Sequence, residues 1–148
     1  MNYPRYTIVF LVVAIGAALL ITFVNTTLQS ALGSSAQVLV PAMIGALIEG
    51  QRFARTSGRK ATTAEAWRFT WIATIIALAL NILLAFVGPA VVPEFAKLAI
   101  APVMSMQFNV VLAIYAVGYL ISNRFFLGIG ISTELSAAAR RNDTKGGT

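Results

Sequence analysis

The 148-residue chain contains neither cysteine nor histidine, and those two absences remove much of the chemistry a small protein can carry. Without imidazole or thiolate there is no His-ligated haem, no Cys-bound iron–sulfur cluster and no zinc site of the usual kind. Thiol catalysis and a Ser-His couple are excluded by the same absences. Met104 and Met106 supply too few thioether ligands for copper. The sequence therefore predicts no metal and no cofactor. Charge is scarce as well. Charged residues make up 11% of the chain, against about 25% in a typical soluble domain.

What is present is apolar: 58% hydrophobic residues and a mean hydropathy of +0.81. The few charges are one-sided, with 11 Lys+Arg against 5 Asp+Glu. Arg5 precedes the first long apolar stretch. Arg52, Arg55, Arg59, Lys60 and Arg68 cluster between the second and third, and Arg124, Arg140, Arg141 and Lys145 lie at or beyond the end of the fourth. Only Lys97 falls in a segment assigned to the outside. Cationic loops stay on the cytoplasmic side, so the reading is an all-α integral membrane protein with four transmembrane helices and both termini inside. The net charge of +6 then follows from topology and points to anionic lipids rather than nucleic acid.

The first span is Thr7 to Val24, longer than the apolar core of a signal peptide. A short outer loop then continues to Ser35. The second helix runs from about Ala36 to Ser57, with Gly58 placed as a left-handed cap. Thr62-Thr63-Ala64-Glu65 is a capping box that opens the third helix after a tight turn. That helix ends at Gly88-Pro89, and Trp67 and Trp71 fall where an interfacial aromatic belt belongs. In the outer segment, residues 93–100 form a short interfacial helix between helices three and four. The fourth helix spans about Met104 to Leu127, is broken at Gly128-Ile129-Gly130, and leads into a polar tail. A membrane domain over 1–130 and a cytoplasmic tail over 131–148 follow.

Ala42, Ala46, Gly50 and Ala54 recur every four residues, a small-xxx-small stripe that admits another helix closely. Glu49 lies seven positions after Ala42, so at ~100° per residue it returns to nearly the same face. A carboxylate there is costly unless paired or protonated. Arg52, three residues on, and Arg68, level with it across the hairpin, are the expected partners, with Arg124 also in reach. Glu49 is then a structural ion-pair member, a proton- or cation-responsive acid, or a contact for a partner or a lipid head group.

A second polar group lies toward the outer side: Asn81 and Asn109, facing Asn25, Gln29 and Gln37. Amides so placed hydrogen-bond across helices, or line a small vestibule for a lipid or quinone head group. Tyr115 and Tyr119 share a face of helix four, with Ser122 and Asn123 just below. Their hydroxyls are suited to a ligand carbonyl or to single buried hydrogen bonds.

Gly50-Gln51-Arg52-Phe53, then Gly58-Arg59, then Glu65-Ala66-Trp67-Arg68 resembles the hairpin signature of a family of small, uncharacterised four-helix bacterial inner-membrane proteins. The likeness covers about twenty residues strongly and the four-span layout over most of the chain. Lys60-Ala61 departs from it, standing where a Pro is usual. The resemblance implies fold and inner-membrane location and carries no activity. The layout is also similar to the four-helix accessory protein encoded with bacterial ATP synthases. With no nucleophile–base pair beside the Arg cluster, the expectation is a non-enzymatic membrane protein. It would act through helix–helix contacts, as a homo-oligomer or as an accessory subunit of a membrane complex. The alternatives are a minimal ion- or proton-coupled transporter using Glu49, and a lipid- or quinone-binding protein.

Overall fold

The structure, a computed structural model, describes residues 1–28, 35–90 and 105–146. Those residues form helices α1 (Tyr3–Leu28), α2 (Ser35–Ser57), α3 (Thr63–Val87) and α4 (Met106–Gly146), with a single 3₁₀ turn at Gly88–Ala90. No strand occurs among the described residues. The expected outer loop beyond Leu28, the outer interfacial helix at 93–100 and Met104 lie outside them.

Among the described residues three stretches are long and apolar enough to cross a membrane: Tyr3–Val24, Thr63–Ala90 and Met106–Asn142. Helix α2 does not join them on hydropathy. Its apolar stretch 38–48 covers only about 17 Å at ~1.5 Å per residue, after which Glu49-Gly50-Gln51-Arg52 intervenes. Its place is inside the bundle instead: Pro41, Ala42, Gly45, Ala46, Glu49, Gly50 and Ala54 are all buried. The other helices turn large apolar side chains outward, among them Val12, Leu20 and Phe23 of α1 and Ile114, Ile121 and Phe125 of α4. That is the inverse of a soluble protein's surface and suits a hydrocarbon solvent.

Local chemistry sets the ends of α3. Thr62 accepts from the Glu65 amide at 3.2 Å while the Glu65 carboxylate accepts from the Thr62 amide at 2.8 Å, the reciprocal capping box. Gly58 has φ +64°, a left-handed conformation that glycine adopts without the Cβ penalty. It stops α2 and turns the chain.

The packing beyond that turn departs from the expectation. Helices α2 and α3 adjoin in sequence, yet α3 rests mainly on α4, and α2 makes its most extensive contact with α4. Those two helices run parallel, since Leu39 meets Gly118 and Leu47 meets Gly130 further along both chains. A Cβ on Gly50 would fall on the Leu127 carbonyl oxygen, and one on Gly130 would fall on that of Leu47. Backbone meets backbone at this crossing, which only glycine permits.

The same contact overturns the expected break at Gly128-Ile129-Gly130. Helix α4 runs unbroken through all 41 residues to Gly146, roughly 60 Å at ~1.5 Å per residue and about twice the hydrocarbon thickness. Each glycine costs a helix about 1 kcal/mol relative to alanine. The approach of Gly130 to α2 and the packing of Ile131 and Leu135 against the core offset it.

Candidate functional site

Two polar clusters and a basic end hold the side-chain hydrogen bonds that join one helix to another among the described residues. The first is centred on Glu49, only 1% exposed. Its partner is neither Arg52 nor Arg68 but Arg5. The Arg5 guanidinium clasps the carboxylate with Nε on Oε1 and Nη2 on Oε2, the latter at 2.9 Å. The Asn2 amide donates to Oε2 at 2.9 Å. Asn2 also caps α1, its side-chain oxygen accepting from the Arg5 amide at 3.1 Å, so cap and cation are held as one unit. Glu49 thus meets a fork of guanidinium donors and the positive end of a helix together.

The reason lies in which helices pack. Tyr6 lies against Gly45, where a Cβ would come within 2.9 Å of its ring. That contact draws the first turn of α1 onto α2 and brings Arg5 to Glu49. Arg52 is three residues past Glu49, about 60° off the packing face, and is exposed. Arg68 is exposed on α3, which has little contact with α2. Neither forms an ion pair with a described residue. Arg124 instead lies 5.8 Å from the centre of the Trp67 ring.

The second cluster runs through the middle of the bundle. Tyr6 OH donates to Asn123 Oδ1 at 2.9 Å, and Asn123 Nδ2 donates to Thr74 Oγ1 at 3.3 Å. One turn outward, Asn81 Nδ2 donates to Tyr119 OH at 3.1 Å, and that hydroxyl donates to Val38 O at 3.0 Å. Val38 O lies three residues before Pro41, in a turn of α2 from which proline removes an amide. All four helices are tied by these links. Asn81 does not meet Asn109, which is exposed on α4. Tyr115 is partly buried beside Tyr119 and shares no hydrogen bond with it. The side chains of Asn25 and Gln37, and Gln29 altogether, lie outside the described residues. Replacing Tyr6 with phenylalanine should cost about 1 kcal/mol, and Asn123 with alanine up to about 3 kcal/mol, since the latter strands two partners. Thermal unfolding in mild detergent measures both.

At the basic end, Glu134 accepts from Arg55 Nη2 at 2.9 Å and from Arg141 Nη2 at 3.0 Å. Arg59 forks onto Glu65 at 2.8 and 2.9 Å and lies 5.4 Å from the Phe53 ring centre. Hydrogen bonding to these carboxylates raises both the Arg55 and the Arg59 guanidinium above the usual arginine value. Sequence reasoning passed over Glu134. Its signal was Arg141, seven residues on and hence on the same helical face. Among the described residues no three His, Cys, Asp or Glu side chains come together to hold a metal.

Ala42, Ala46 and Ala54 of the small-residue stripe are buried, and Gly50 abuts the α4 backbone. The residues quoted for the family resemblance therefore have physical tasks here: Gly50 at the crossing, Gly58 at the turn, and Arg59 and Glu65 across it. Comparison with protein-family models, curated proteins and solved structures finds no match for this chain.

Proposed function

We propose that the chain is a non-enzymatic integral protein of a bacterial inner membrane, acting through helix–helix contacts as a homo-oligomer or as an accessory subunit of a larger complex. Both termini lie on the cytoplasmic side in this reading, following the basic residues. Helix α2 is the fourth span, packed against α1 and α4. The observation that carries the proposal is the use already made of the interior polar groups. Glu49, Asn81, Tyr119 and Asn123 all have partners within the chain.

A coupling acid in a transporter needs an approach for its ion and an alternative partner to exchange with. Glu49 is 1% exposed and clasped by a fork of donors, so the transporter reading is the weaker one. What the molecule offers its surroundings is an apolar outer face and a basic end. Mass measurement in mild detergent, together with affinity capture from native membranes, tests the proposal. An oligomer or a stoichiometric partner protein is expected. A strictly monomeric particle that retrieves no partner would overturn it.

A further inference from the structure

The face between α3 and α4 carries a feature that helix–helix contact does not explain. An open groove of about 840 Å³ runs along it, lined by Trp67, Trp71, Leu120, Ile121, Arg124 and Phe125, with Gly128, Ile129, Ser132 and Thr133 at one end. A smaller cleft of about 150 Å³ adjoins it toward the basic end and holds Lys60, Thr63 and Ser132. Arg124, Gly128 and Ser132 line both spaces. The groove is apolar along its length and cationic where it meets the cleft. No acidic residue among the described residues lines either one.

Helix directions order the groove by depth. Helix α3 runs away from the basic end and α4 toward it, so Trp71, Leu120 and Ile121 lie deep. Trp67 and Arg124 are level with each other, their side chains 5.8 Å apart by ring centre. Lys60, Thr63 and Ser132 are nearest the basic end. This is the polarity of a phospholipid: hydrocarbon, then the interfacial level marked by tryptophan, then a phosphate. Neither Lys60 nor Arg124 has a carboxylate partner among the described residues. Gly128 borders both spaces. A Cβ there would meet nothing within 4 Å.

We infer that this groove is a binding site for one anionic phospholipid, its acyl chains along Trp71, Leu120, Ile121 and Phe125 and its phosphate between Arg124 and Lys60. Hydroxyls of Thr63 and Ser132 border the head group. The inference rests on the membrane-embedded part of the proposed function and is independent of the choice between oligomer and subunit. An anionic headgroup answers the uncompensated charge of the cleft, whereas a zwitterionic one brings its own cation into a space that already holds two.

The chain's 2 tryptophans are Trp67 and Trp71, and both line the groove, so selectively excited tryptophan fluorescence reports on that face. The full chain is reconstituted in phosphatidylcholine vesicles containing a minor fraction of phosphatidylglycerol, with bromine on the acyl chains of one lipid or the other. Brominated phosphatidylglycerol is expected to quench well beyond its share of the bilayer. Lys60→Gln and Arg124→Gln should each weaken that enrichment about fivefold. Gly128→Leu should abolish it while leaving helicity and thermal stability intact, because position 128 borders the groove and a Cβ there meets no atom within 4 Å. Quenching in proportion to bulk composition, or enrichment unchanged in Gly128→Leu, would overturn the site. Displacement of the brominated lipid by soluble glycerol phosphate would overturn the lipid as occupant. Absence of quenching by either brominated lipid would count against membrane embedding itself.

Discussion

Replacing Arg5 with methionine should destabilise the protein by about 3 kcal/mol, the cost of leaving a buried carboxylate without its cation. The estimate sits at the low end of the range for broken buried pairs because the Arg5 side chain is 29% exposed and Glu49 1%. That asymmetry also orders the two halves of the pair. Glu49→Gln leaves a guanidinium that can turn to water, and the amide oxygen can still accept from Asn2, so its loss should be the smaller. The paired change Arg5→Met with Glu49→Leu should recover most of the stability, since two well-packed apolar groups need no partner. Arg52→Ala and Arg68→Ala, exposed and unpaired among the described residues, should change it by no more than about 0.5 kcal/mol. Thermal unfolding in mild detergent over this set decides the matter. A loss in Arg52→Ala or Arg68→Ala equal to that in Arg5→Met would show that Glu49 is held by another cation.

The crossing of α2 and α4 should be equally intolerant. Gly50→Ala places a methyl group on the Leu127 carbonyl oxygen and 3.1 Å from the Ile131 amide nitrogen. Gly130→Ala meets the Leu47 carbonyl oxygen and comes 3.0 Å from the Gln51 nitrogen. The obstacles are backbone atoms that no rotamer change can clear, so the helices must separate. A loss of roughly 3 kcal/mol is expected for each, at the upper end of overpacking costs. Gly16→Ala and Gly128→Ala put the same methyl into open space and should gain up to about 1 kcal/mol from helix propensity. Four alanine variants of identical chemistry thus divide by sign. Equal stability across the four would show that α2 and α4 do not touch at these glycines.

These two results separate what was legible from what was not. The capping box at Thr62 and Glu65, the turn at Gly58 and the end of α3 near Gly88 follow from residues within a few positions of one another, so the chain displays them directly. Glu49 was legible by period: seven residues from Ala42 is nearly two full turns, and the stripe it shares has to face protein. Its partner was not. Arg52 and Arg68 are near in sequence or across a short turn, but a salt bridge follows helix packing, and the packing sends α3 to α4 and α1 to α2. Gly130 misled for a related reason. A glycine that ends a helix and one that lets a second helix touch it look alike until the second helix is placed.

Sequence alone determined that the chain is helical with helices able to cross a membrane, because hydropathy and span length respond to the solvent rather than to any particular contact. It also determined the helix ends, where capping groups satisfy amides within a single turn. Tertiary structure decided the rest: the Arg5–Glu49 clasp, the Tyr6–Asn123–Thr74 link, and the groove at Gly128 with Arg124 at its mouth. Each joins residues tens of positions apart in the chain. Their meeting depends on how helix faces interlock, and local spacing contains no term for it.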